Sequence, residues 1–390
     1  MGAALLVGLA QPGARAADMA AQAASPPGQT AAQVTDPRAL SAAGMPQRQA
    51  LLETAETALE RGLVSSAIIG FERAGMMLHA ADSEMGLVRA WMQQGEYRRA
   101  LAFAAHTAGA HRDTPAASAL YVWLLTVGGQ TQFAEQLLAA TSQRAPDDVV
   151  VDAVRLALSS AAPSASGVML DSPHRMAPAS VARGEQQSAP AGLRQVANGT
   201  LLGEGRRALV PAGALQGARR LWVRNGLGHM SAAQLEPDPP LALQRQGLAV
   251  LRLQATLGDG RVRLAPRDPF AGSPGFAAAY PASEQDAPAW PWISQGFFGA
   301  LDAQGGSRKA GIRAASSQDG GPLFDAAGRL AGVRVHGAHG REHMVPVSLF
   351  RDGAIDAPGS VDAAAGNARI GLDEAYEQAL QVTLQVLVVP

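Results

Sequence analysis

His336, His339 and His343 stand at intervals of three and four residues. Imidazoles at those intervals converge on a metal ion only along a helix, where such positions share a face. Here they fall in a stretch that reads strand, glycine turn, strand. The pattern therefore predicts a solvated histidine cluster and no metal site. Asp147-Asp148 precedes an apolar helical run and reads as a helix N-cap, not a calcium pair. Gly203-Glu204-Gly205 reads as a tight turn, because a phosphate loop needs a helix or a lysine to follow. Of the aromatic pair Trp290 and Trp292, which could line a ligand patch, Trp292 reads as core and Trp290 either way. There is no cysteine, which excludes disulfides, thiolate catalysis and zinc–thiolate sites. No cofactor is expected.

The elements that must position these groups follow from length and texture. A chain of 390 residues fits two domains with linkers. Its 32 Lys plus Arg against 33 Asp plus Glu leave a net charge of -1. No strong field is available to hold nucleic acid or an anionic membrane, so neither is an expected partner. Ala3 to Ala10 form an apolar run, and Ala14-Arg15-Ala16 offers small residues where a signal peptidase reads. Residues 1–16 thus read as a secretory signal and imply export, with the periplasm as the expected compartment. Neither this run nor Val386 to Val389 is long enough to span a bilayer, so no integral membrane segment is expected. Residues 17–46 read as disordered, 47–160 as helical, and 161–192 as a linker rich in Ser, Pro, Ala and Gly. Short apolar runs broken by Gly, Pro and Asp over 193–352 predict an all-β domain. A second linker, 353–369, leads to a C-terminal helix within 370–390. There Leu372, Tyr376, Leu380, Leu384 and Leu387 recur at helical spacing.

The helical half repeats. Gly62, Gly95 and Gly129 lie 33 and 34 residues apart, and each is followed five residues later by an alanine, Ala67, Ala100 and Ala134. Leu87, Trp91, Tyr121 and Leu125 supply first-helix core positions, Phe71 a second-helix one, and Pro146 closes the third unit. The period and these positions resemble tetratricopeptide repeats over about residues 48–146. The first unit departs from the pattern, with Thr54 and Ala58 in place of large residues. The resemblance implies a concave groove lined by the first helices, with Leu52, Glu56, Met85, Arg89, Met92, Trp123 and Thr126 facing it. Such grooves take a protein or peptide partner.

In the β half, Gln318-Asp319-Gly320-Gly321-Pro322-Leu323 is followed by Gly328-Arg329-Leu330-Ala331-Gly332-Val333. This resembles the nucleophile segment of trypsin-like serine proteases of the HtrA type, with Asp319 at the serine position. Ser317 replaces the glycine whose N–H helps form the oxyanion hole. Ala208-Leu209-Val210-Pro211-Ala212-Gly213 is similar to the segment carrying the family's histidine, here Gly213. Gly247-Leu248-Ala249-Val250-Leu251-Arg252-Leu253 is similar to the one carrying its aspartate, here Gly247. Gly199 to Gly205, Tyr280-Pro281, Gln295 to Phe298 and His343 to Val347 fall where further landmarks of that family lie.

The resemblance implies a trypsin-like double β-barrel behind all-α helical repeats. It also implies a degenerate triad, since the mechanism needs a hydroxyl nucleophile, an imidazole base and a carboxylate to orient it. The expected function is that of a non-catalytic pseudoprotease, acting as a periplasmic adaptor. The alternative is a divergent serine endopeptidase with a relocated site, Ser316 or Ser317 with His336.

Overall fold

The computed structural model describes residues 44–184, 190–258, 262–282, 287–300, 308–313, 319–336, 342–351 and 368–389. The expected signal at 1–16, the disordered reading of residues up to 43, Ser316, Ser317, His339 and most of the second linker lie outside the described residues.

Seven helices fill the N-terminal half: α1 Gly44–Glu60, α2 Val64–Met77, α3 Ala81–Gln94, α4 Tyr97–Ala110, α5 Pro115–Val127, α6 Thr131–Arg144 and α7 Val149–Ser159. The sequence period has a local physical cause. Gly62, Gly95 and Gly129 take φ of 75°, 89° and 79°. In that region a glycine is nearly free of strain and an L side chain is not. Each glycine N–H bonds back three residues, to Leu59, Met92 or Thr126. The next N–H, of Leu63, Glu96 or Gln130, bonds back five, to Ala58, Trp91 or Leu125. This is the same Schellman ending three times over, and it reverses the chain into the following helix. Ala67, Ala100 and Ala134, one turn into that helix, are buried. Asp148 caps α7, its carboxylate accepting from the Val150 and Val151 amides at 3.0 and 2.9 Å.

The first linker is packed over much of its length. Residues 160–184 include a 3-10 turn, Gly167–Leu170, and the short strand β1, Val181–Ala182. Met169, Met176, Ala177 and Ala179 are buried. Low sequence complexity had pointed to a tether. Two methionines and several small residues are enough to fill the seam between the two halves.

The first sheet contains β1, β2 Arg194–Leu202, β3 Arg207–Pro211, β4 Arg220–Asn225, β5 His229–Leu235, β6 Leu248–Leu253 and the C-terminal β12, Thr383–Val389. Its order is β1-β5-β4-β12-β2-β3-β6, and a further β5–β6 pairing closes six of these strands into an antiparallel barrel. Closure removes free edges. Leu201, Val210, Val223, Leu251, Leu384 and Val386 fill the interior. The second sheet holds β7 Pro274–Ala279, β8 Trp292–Phe297, β9 Pro322–Asp325, β10 Leu330–His336 and β11 Glu342–Pro346. Its order is β11-β10-β9-β7-β8, and all four pairings are antiparallel. Short helices α8, Leu241–Arg245, and α9, Val347–Arg351, follow β5 and β11.

The C-terminal segment departs from the expected single helix. Helix α10 spans Leu372–Val382 and gives way at Thr383 to β12. Strand β12 lies between β2 and β4 and pairs antiparallel with both. From Val382 onward, Val-Thr-Leu-Gln-Val-Leu-Val-Val is rich in β-branched residues that suit a strand. Leu384 and Leu387 fit the helical spacing, but both are fully buried in the sheet. Helix α10 docks between the two halves. Tyr376 meets Tyr97 edge-on, with centroids 4.4 Å apart, and Arg98 pairs with Glu377 at 2.9 Å. One continuous cluster of buried apolar residues runs from the repeats through α10 into the second sheet.

Candidate functional site

The three positions aligned with a catalytic triad lie at the junction of the barrel and the second sheet. Gly213 sits in the 3-10 turn Ala212–Leu215, directly after β3. The Ala212 amide donates to the Gly247 carbonyl at 2.8 Å, which fixes the turn beside the start of β6. Asp319 enters from the second sheet, and its carbonyl accepts the Asn198 amide of β2 at 2.8 Å. Gly320 carries φ of 95°. A Cβ there would stand 2.0 Å from the Asn198 carbonyl oxygen and 2.8 Å from Pro211. On the other side, a Cβ at Gly321 would stand 2.5 Å from the Ala278 carbonyl oxygen. The Gly-Gly pair thus lets the segment leading into β9 pass close to the barrel and to β7 without displacing backbone. The Thr200 hydroxyl, donating to the Gly320 carbonyl at 2.8 Å, holds it there. Ser317, aligned with the oxyanion-hole glycine, lies outside the described residues.

Among the described residues the junction is chemically sparse. Gly213 and Gly247 are exposed, and a Cβ at either would meet nothing within 4 Å. The Asp319 side chain is instead engaged. Its Oδ1 bonds His336 Nδ1, from the end of β10. Its charge also reaches Arg334, whose guanidinium is driven below its ordinary value by burial, partly offset by Glu342 and Asp319. Glu342 lies 3.5 Å from Arg334. The group is thus an ion cluster between β9, β10 and β11. Sequence reasoning singled out Asp319 and His336 separately but not their pairing. Arg334 and Glu342 were missed altogether, because only the β10–β11 register brings 334 and 342 together.

That register also separates the histidines. His336 stands opposite Glu342 and His343 opposite Val335, so the two point to opposite faces of the sheet. The core takes both tryptophans. Trp290 is 2% exposed, whereas Trp292 is half-buried and meets Trp123 edge-on at 6.0 Å. Gly203-Glu204-Gly205 forms the β2–β3 turn, with φ of 56° and 78° at its glycines.

The expected partner groove is covered in part by the chain itself. Leu52, Met85, Arg89, Met92, Trp123 and Thr126 are buried, and Glu56 is half-buried. Helices α1, α3 and α5 do run side by side, but Val181 packs on Gly62. The Ala179 amide donates to Gln93 at 3.3 Å, and Trp292 covers Trp123. Arg89 donates to Glu56 at 2.9 Å. Burial alone would raise the Glu56 carboxyl, but Arg89, Ser172 and Arg175 together hold it below its usual 4.5. The apolar stripe that makes such a groove sticky equally recruits the linker and the β domain. Beside it remains a cavity of about 240 Å³ lined by Glu56, Arg89, Asp171 and Arg175.

No family model matches the chain, and no curated protein matches it. Among solved structures it is similar to a serine endoprotease from Yersinia pestis, at 20% identity and a TM-score of 0.33. That likeness covers 42% of this chain and 58% of the other.

Proposed function

We propose that this chain is a pseudoprotease: a trypsin-like scaffold with its catalytic positions emptied, fused to tetratricopeptide-like repeats and serving as a periplasmic adaptor for a protein or peptide. The observation that carries the reading is the chemistry at the junction. Two positions that need an imidazole and a carboxylate are bare glycines facing open space, and the third is a carboxylate bonded to His336. A carboxylate where an oxyanion must form opposes it by like charge. Export rests on the sequence of residues 3–16. Because the helical groove is largely covered in cis, the partner surface in this reading is the exposed junction around Gly213 and Gly247.

The test is a fluorophosphonate probe, which reacts only with an activated hydroxyl. The purified protein is expected to stay unlabelled and to leave casein intact. Asp319→Ser alone stays unlabelled as well, because a serine without a base is a poor nucleophile. A second reading, a divergent endopeptidase, draws on one observation. His336 is held by a carboxylate through Nδ1, the arrangement that orients a catalytic imidazole. Labelling that disappears in Ser316→Ala or Ser317→Ala would establish that reading and end the first.

A further inference from the structure

Four metal-ligating side chains meet on the helical half, far in sequence from the junction. His79 lies between α2 and α3, Glu84 in the first turn of α3, His106 on α4, and His111 at its C-terminal end. His79 Nε2 is 2.7 Å and His106 Nε2 3.8 Å from Glu84 Oε1, while His111 Nε2 is 3.4 Å from Oε2. Among the described residues, His79, Glu84 and His106 are the one group of three such residues with ligand atoms all within 4.8 Å. The His79 and His111 rings are 4.7 Å apart.

We propose that His79, Glu84 and His106, with His111 beside Glu84, form a binding site for a divalent transition-metal ion of the zinc class. The spacing fits. Ligands about 2.0–2.2 Å from a tetrahedral zinc lie about 3.3 Å from one another, and the ligand atoms of His79, Glu84 and His106 all lie within 4.8 Å of one another. Two imidazoles and a carboxylate make an N2O set with the fourth position left for water, which suits zinc and its neighbours and not calcium or magnesium.

A second observation points the same way. The Glu84 side chain is 7% exposed. Its Oε2 and His111 Nε2 are both buried and make no hydrogen bond, although they face each other. A buried carboxylate oxygen and a buried imidazole nitrogen left facing each other call for a proton or a metal cation between them. The site also has an entrance, since the His79 and His106 side chains are 47% and 56% exposed. Phe103, stacked on His106 at 5.6 Å, holds that ring in place. A metal here would clamp the α2–α3 turn to the end of α4, locking the second repeat to the first.

The test uses the full chain, stripped with a chelator and titrated with Zn²⁺ by calorimetry. Co²⁺ then serves as a spectroscopic probe. One equivalent of Zn²⁺ is expected to bind and raise the melting temperature, and Co²⁺ to show the intense visible band of four-coordinate geometry. His106→Ala, at an exposed position that folding does not need, should weaken binding by at least about tenfold. That is the lower end of what is lost even when a supporting outer partner is removed. His174→Ala, remote from the site, should change nothing. Absence of stoichiometric binding, or unchanged affinity in a His79→Ala/His106→Ala double variant, would overturn the proposal. Neither result bears on the junction, so the pseudoprotease reading stands or falls separately.

Discussion

Gly213 and Gly247 look alike in the sequence, and both face open space, yet their backbones differ. Gly247 carries φ of 73°, while Gly213 sits in a 3-10 turn. Returning a side chain to each should therefore have unequal consequences. Gly213→His is expected to leave the unfolding free energy from urea titration within about 0.5 kcal/mol of the parent, as an exposed change usually does. Gly247→Asp should cost about 1 kcal/mol, the low end for a non-glycine left-handed residue, because aspartate tolerates that region better than most. Equal midpoints for the two variants would contradict the backbone difference. Glu56 offers a test in pH. Its folded-state value is lowered, so its contribution to stability is present above the usual 4.5. That contribution is lost as pH falls through the folded value. Glu56→Gln leaves Arg89 buried without its counter-charge and should cost about 3 kcal/mol at pH 7. The difference from the parent should shrink steadily below pH 4.5.

At the scale of elements, the C-terminal strand decides whether the barrel closes. Strand β12 pairs antiparallel with β2, with a register shift between Val386 and Leu387, and with β4, and supplies Leu384 and Val386 to the interior. Leu384→Ala should lower stability by about 2–5 kcal/mol, the range for truncating a fully buried leucine. A loss below 0.5 kcal/mol would mean that β12 is not seated between β2 and β4. The repeats are simpler, because each is set by one local device. A glycine in the left-handed region ends the first helix, and the Schellman bonds turn the chain.

At the scale of the molecule, the helical half and the second sheet share a single buried cluster, with α10 and the first linker wedged between them. Two domains joined by a tether melt separately, whereas two halves with one core melt together. Calorimetry of the full chain is therefore expected to show one transition. Trp123, 2% exposed and edge-on to Trp292, spans the seam. Trp123→Ala should destabilise the whole protein by about 3–5 kcal/mol. Two resolved transitions, with only the first shifted by Trp123→Ala, would show that the halves are independent.

What the sequence determined by itself was local. Schellman endings depend on residues five apart, so Gly62, Gly95 and Gly129 announced the repeats. The Asp148 cap, the Gly203–Gly205 turn and the short apolar strands of the β half are equally short-range. Tertiary structure decided the rest, because it concerns what a face meets and not which face is apolar. Leu384 and Leu387 satisfy a helical period and a strand pattern alike, and only the slot between β2 and β4 chose the strand. The groove residues have the same apolar character under a partner or under Trp292 and Val181. His79, Glu84, His106 and His111 stand five residues apart within each pair, a spacing that marks no helical face. They meet only because two reversals of the chain bring the start of α3 against the end of α4.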